Sequence, residues 1–198
     1  MFKTQSLYGG AISCVMPEGF LDASILREVP DTQEVFVNSR EAGEKDKFKD
    51  GLGLDESVIV DLLQRVDAEN DRDALSVHLQ EITGLNGSSD WTVVQIDTVT
   101  QPTPYQTCIA LETAYKWDKE DHAETLVLCA ALIRLEDVQT DVILSVNLPV
   151  SQDQTLQQLR QWAQGPSLIA APPQVQAAYT LLQAMATNFK VVDNSLFV

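Results

Sequence analysis

The run Leu126-Val127-Leu128-Cys129-Ala130-Ala131-Leu132-Ile133, inside the stretch 123–135, decides the fold. As a strand it sets Val127, Cys129, Ala131 and Ile133 on one face. Leu126, Leu128, Ala130 and Leu132 fall on the other. Both faces are apolar, so both must be covered. The stretches 91–99, 105–117 and 141–150 also read as strands, with short turns between them. Turns this short join antiparallel neighbours, because a parallel crossover needs about a dozen residues or more. Asp141, Ser145 and Asn147 give the last of these strands a more polar face.

Helical patterns on either side of this block supply the cover. Asp55-Glu56-Ser57 reads as a helix start, and Val58, Ile59, Leu62, Leu63 and Val66 then form one stripe. On that reading Asp61, Gln64 and Arg65 leave the stripe and face the rim or solvent. A second helix is predicted over 71–83, with Leu75, Leu79 and Ile82 inward and Gly84 as its stop. Ser151-x-x-Gln154 resembles a capping box ahead of Leu156, Leu159 and Trp162, and Gly165-Pro166 ends that piece. A longer helix is predicted over 174–189, followed by a last strand over 190–193. The N-terminal third is rich in turns. It has an apolar stretch from Leu7 to Val15 broken at Gly9-Gly10, a turn or cap at Asp22-Ala23-Ser24, a strand around Val35 and Val37, and a polar loop over 40–54. The sum is an α+β chain forming a three-layer α/β/α sandwich around a largely antiparallel sheet, as a single domain over 1–198.

Composition narrows the function. The 198 residues carry 13 Lys and Arg against 29 Asp and Glu, a formal net charge of −16. Residues 31–73 hold 13 acidic and six basic residues, nearly half of that excess. Nucleic acid and anionic membranes call for a basic surface, so both are excluded as expected partners. The stretch Glu44 to Asp50 alternates acids with its lysines and reads as a solvated loop. A basic protein surface is the natural complement. The longest apolar run is eight residues, against about twenty for a membrane span, and the N-terminus does not read as a signal peptide. Cys14, Cys108 and Cys129 lie in apolar runs and read as buried thiols, not a disulfide framework.

Signatures of catalysis are missing. There is no phosphate-binding GxxxxGK[ST], no GxGxxG and no GxSxG. His78 and Glu81 have a spacing that could put two metal ligands on one helix face, but a zinc site needs three or four. His78 reads instead as a partly exposed helix histidine, and His122 as a surface turn residue. No cofactor and no metal are expected. Asn86-Gly87-Ser88 matches a glycosylation sequon, which matters only in a secreted protein. Trp91, Trp117 and Trp162 read as core. The residues thus favour a protein-binding module over an enzyme.

Particular segments go further. Leu7-Tyr8-Gly9-Gly10-Ala11-Ile12, Phe20-Leu21-Asp22-Ala23-Ser24 and the stretch from Arg27 to Phe36 (REVPDTQEVF) resemble the Ran-binding Mog family, the Ran guanine-nucleotide release factors. So do Ser57 to Leu63 (SVIVDLL), Ala131 to Leu135 (ALIRL), Thr140-Asp141 and the tail Val192 to Phe197 (VDNSLF). The pieces keep the family's order, and fungal members are nearest in wording. The resemblance implies a Mog/PsbP-type fold. It also implies a nuclear or nucleocytoplasmic protein that binds the GTPase Ran, promotes nucleotide release and supports nuclear import.

The resemblance further implies an acidic Ran-binding patch with an aspartate and a glutamate three residues apart in the first helix. The aspartate falls on Asp61. The glutamate position holds Gln64, which can accept a hydrogen bond but carries no charge. Asp67, Asp31 and Glu34 are the candidates to compensate. Structural roles compete with this: Pro30 and Asp31 can build a turn, and Gln33 and Glu34 can satisfy buried backbone. Arg134, in a strand apolar on both sides, is expected to pair with a carboxylate as a structural ion pair. The expected protein is a monomeric GTPase regulator, located in the nucleus and without covalent catalysis. The alternatives are a Ran adaptor without exchange activity and a small-ligand binder on the same fold.

Overall fold

The computed structural model describes residues 2–88, 90–115 and 123–197. In chain order the strands are β1 (Phe2–Leu7), β2 (Ile12–Pro17), β3 (Phe20–Asp22), β4 (Gln33–Asn38) and β5 (Ser57–Gln64). They continue with β6 (Asp90–Val99), β7 (Tyr105–Tyr115), β8 (Ala123–Leu135), β9 (Thr140–Val150) and β10 (Lys190–Val191). The helices are α1 (Lys45–Phe48), α2 (Asp71–Leu85), α3 (Asp153–Ala163) and α4 (Pro173–Asn188). A seven-stranded sheet runs β3-β4-β5-β9-β8-β7-β6, and a three-stranded sheet runs β1-β2-β10. Every pairing is antiparallel.

β8 lies inside the large sheet between β7 and β9, buried on both faces as its sequence demands. Val127, Cys129, Ala131 and Ile133 join a core with Val175, Tyr179, Leu182 and Met185 of α4 and with Ile12, Cys14 and Met16 of β2. Leu128, Ala130 and Leu132 join a smaller core with Ala74, Leu75 and Leu79 of α2. The sheet is therefore covered by α2 on one face and by α4 on the other. This is the sandwich that the apolar run requires.

Two elements differ from their predicted type, the smaller being α1, which lies inside the stretch read as a loop. Residues 57–64 form a strand, not a helix. β5 is hydrogen-bonded to β4 on one side and β9 on the other, with Val58 and Val60 fully buried. A strand apolar on both faces produces the same stripe as a helix, and periodicity cannot separate the two over so short a run. The β-branched Val58-Ile59-Val60 is the local signal for strand. The turn signals also moved. α2 continues past Gly84 to Leu85, with Asn86 as its C-cap and Gly87 at φ 66°. The capping box at Ser151 does not form: Gln152 is the N-cap of α3 and makes no side-chain cap bond. Trp162 is buried and Trp91 packs on the α2-side core, whereas Trp117 and His122 lie outside the described residues.

Buried polar groups are paired across long sequence distances. Asp141, fully buried on β9, accepts from Arg134 Nε (3.0 Å), His78 Nε2 (2.9 Å) and the Val66 amide (3.1 Å). Arg134 is thus the structural ion pair its setting implied. His78 is buried, not partly exposed, because α2 lays it against the sheet over Asp141. Buried Glu112 on β7 accepts from the Asn86 amide (3.2 Å) and the Ser88 hydroxyl, so the sequon residues tie the end of α2 to the sheet. The loop over 40–54 is not all solvated. Buried Arg40 pairs with Asp50 (2.5 Å) and lies against the rings of Phe20 and Phe48. All three cysteines are free and buried, and burial pushes the Cys14 and Cys108 thiols up to about 12. Replacing Asp141 by Ala leaves Arg134 only the more distant Asp71 carboxylate (3.7 Å) and strips His78 of its hydrogen bond. Losing one member of a buried ionic cluster typically costs about 3–5 kcal/mol. Chemical denaturation of Asp141→Ala is expected to show a loss of that size.

Candidate functional site: an acidic face at one end of the large sheet

The candidate residues gather where β4 begins and β5 ends. Gln33 opens β4 directly opposite Asp61, and Gln64 at the end of β5 lies opposite Thr140. The Arg65 amide donates to Gln139 O (3.0 Å), which brings the β8–β9 hairpin alongside. Asp67 follows on the link to α2, whose first turn carries Asp71 and Asp73. Asp31 and Asp67 are exposed, and so are Glu69, Glu136 and Asp137 from the same end. Glu136 and Asp137 carried no signal in the sequence, because only the strand register delivers their hairpin to this end. Basic residues are sparse here. Arg65 pairs with Glu136 (2.9 Å), and Arg134 is committed to Asp141 with Asp71 at 3.7 Å.

Asp61 does not sit where the helical reading put it. It is only 8% exposed. Because β5 is a strand, Asp61 and Gln64, three residues apart, fall on opposite faces and cannot act as adjacent groups on one helix. Gln64 is exposed. Asp61 accepts one side-chain bond, from Gln33 Nε2 at 2.5 Å. Burial pushes its carboxyl above the usual carboxylate range, and the Gln33 bond and the His78 ring offset this only in part. Asp61 is therefore a largely desolvated carboxylate with a neutral partner, at the edge of an acidic surface.

Tyr8 organises the neighbourhood and was not foreseen. It holds φ 49°, a region that non-glycine residues seldom occupy, and Gly9 at φ 65° follows. The turn carries its ring into the β4–β5 pair. Its hydroxyl proton is shared between Val60 O (2.7 Å) and Thr32 O (3.0 Å). Its amide donates to a carboxylate oxygen of Glu34. Burial, with the Asp61 and Glu34 charges, pushes the phenol well above its ordinary range, so it remains a donor. The only sequence sign was a tyrosine ahead of two glycines. Glu34 thus satisfies backbone, and Asp31 lies in a turn closed by Gln33 N to Pro30 O (2.8 Å). Both structural roles are realised beside any binding role. Tyr8, Asp22, Val29, Asp31 and Glu34 line a shallow hollow on this face.

Chemically, the arrangement suits a partner that brings positive charge. Among the described residues there is no group of three or more potential metal ligands and no helix long and apolar enough to cross a membrane. An α/β/α sandwich presenting an acidic, partly desolvated face defines a class of protein-recognition module. The chain belongs to the Ran-interacting Mog1 protein family, whose model matches residues 5–149. It is 47% identical to the nuclear import protein MOG1 of Saccharomyces cerevisiae over 98% of this chain and 84% of that protein. It is 31% identical to the Ran guanine nucleotide release factor of Danio rerio, over 74% and 78% of the two chains. The crystal structure of the Saccharomyces cerevisiae Ran-binding protein Mog1p superposes with a TM-score of 0.83 at 45% identity, covering 100% of this chain and 99% of that one. The expected family and its fold are thus confirmed.

The burial of Asp61 has a consequence for stability. Its folded pKa lies above its unfolded value, so the protonated form is favoured in the folded state. That stabilisation is full below the ordinary value near 3.8 and is lost as pH rises through the raised one. At neutral pH the ionised side chain therefore weakens the free protein. Asp61→Asn keeps an acceptor for Gln33 and removes the charge. Thermal melts are expected to show a higher Tm for Asp61→Asn at pH 7, with the gain shrinking as the pH falls towards 4.

Proposed function

We propose that this protein binds the GTPase Ran through the acidic face around Asp61, promotes release of its guanine nucleotide and so supports nuclear protein import. Membership of the Ran-interacting Mog1 family and the names of its relatives support the partner and the process. The observation that carries the site is Asp61: a buried carboxylate, held by one neutral amide, on a face crowded with exposed acids. Such a group gains more from an arriving cation than a fully solvated one, because it is already largely desolvated. Asp31, Glu34, Gln64 and Asp67 are the further proposed contact residues around this end of the sheet, Gln64 as an uncharged rim position on the opposite face of β5 from Asp61.

Nucleotide leaves faster when a partner stabilises the empty GTPase better than the filled one. A carboxylate can do this by competing with the nucleotide's phosphates for the cations that hold them, a phosphate-binding lysine or the bound magnesium. In this reading the protein is a regulator that forms no covalent intermediate, acts as a monomer and works in the nucleus.

Titration calorimetry with purified Ran tests the reading. Affinity is expected to fall as salt rises, because exposed charges are screened over about 8–10 Å near physiological ionic strength. Asp61→Asn is expected to weaken binding about tenfold or more, as for a charge buried at a contact. Gln64→Glu restores a carboxylate at an exposed position and is expected to tighten binding only a few-fold, in line with the ~0.2–1 kcal/mol of surface pairs. An affinity indifferent to both salt and Asp61 would place the contact on another face.

A further inference from the structure

The acidic hollow has an apolar lip. Ile25 is 66% and Leu26 67% exposed, and Leu21 on the short edge strand β3 is exposed as well. The chain runs from Asp22 and Ser24 through these residues to Val29, Pro30 and Asp31, and both ends line the hollow. The three make up nearly half of the seven large hydrophobic side chains exposed among the described residues, and they lie within six positions of each other. Single exposed leucines are ordinary; a cluster beside a recognition face is not.

The lip is held rigidly. Asp22 caps the turn by accepting from the Ser24 amide (2.8 Å). The amides of Leu26 and Arg27 both donate to Ala23 O, at 2.9 and 3.0 Å. Ala23 is the buried plug of the 3-10 turn Ala23–Ile25, which packs on β4. Folding thus inserts the small residue and fixes its two large neighbours outward. The cost of ordering this backbone is then already met before a partner arrives. Charges steer and orient association, while desolvated apolar anchors at the centre of a contact hold the complex together.

We propose that Ile25 and Leu26 are the apolar anchor of the Ran-binding face, taking an apolar surface of Ran bordered by lysine or arginine side chains. The proposal rests on the Ran reading above. It divides the interface into a salt-sensitive part at Asp61, Asp31 and Glu34 and a salt-insensitive part on the Ala23 turn. Charge complementarity selects the occupant: the acids Asp22, Asp31 and Glu34 flank the apolar pair and would repel this acidic chain's own copies.

The test is titration of Ran with the full chain, the double variant Ile25→Ser/Leu26→Ser and the control Leu85→Ser, at low and at physiological salt. Leu85 is still more exposed, at 88%, and lies at the far end of α2. The double variant is expected to keep its thermal melt and to bind about tenfold or more weakly at both salt concentrations. The slope of affinity against salt should be unchanged, and the control should bind like the parent. A double variant that binds within about twofold of the parent overturns the anchor and leaves the Ran reading standing. Absence of binding by the parent chain overturns both. A parent that self-associates on sedimentation through Ile25 and Leu26, with Ran binding unaffected, assigns the lip to a second copy and overturns the proposal.

Discussion

The need to cover β8 on both faces governs this structure. A strand with Leu, Val, Ile, Cys and Ala on every successive position cannot border water on either side. α4 and β2 close one face and α2 closes the other. Once α2 is bound to that duty, its first turn and the end of β5 are brought to the same end of the sheet. The antiparallel register then fixes which acids meet there. The acidic face is in this sense a by-product of the core. It inherits rigidity from strands that are hydrogen-bonded on both sides.

On the proposed reading, stability and recognition pull Asp61 in opposite directions. A buried carboxylate held by one amide weakens the free protein, while Arg134 and His78 show how the same fold treats a carboxylate it needs for stability: Asp141 is surrounded by two basic side chains and a backbone amide. The two aspartates lie on adjacent strands of one sheet, and the difference between them is the supply of positive partners. One is completed from within. The other stands at the edge of an acidic surface, where a partner can complete it. Sites of this kind commonly retain local cost for the sake of function.

Much of the fold was legible from pattern alone. The strands over 90–115 and 123–150 came within a residue or two where they are described, because their alternation and short turns leave few options. α2 and α4 were legible because one apolar stripe repeats over three or more turns. β5 was not, since a central strand has two apolar faces and imitates a helix over eight residues. That error also misplaced Asp61 and Gln64, whose spacing means neighbours on a helix but opposite faces on a strand. The roles of Tyr8, His78, Glu112 and Asp141 could not be read from any local window. Each depends on a contact 26 or more positions away. The acids at Asp31, Glu34 and Asp67 were visible as composition, whereas the hairpin acids Glu136 and Asp137 joined them only through strand register.

If the acidic face works as proposed, it acts on the nucleotide state of a GTPase. The most direct measurement is the rate at which a fluorescent guanine nucleotide leaves purified Ran when the protein is added in stoichiometric amount. Faster release is expected from the parent chain, with a markedly smaller acceleration from Asp61→Asn even though that variant is expected to melt higher. An unchanged release rate with the parent chain at saturating binding would contradict it.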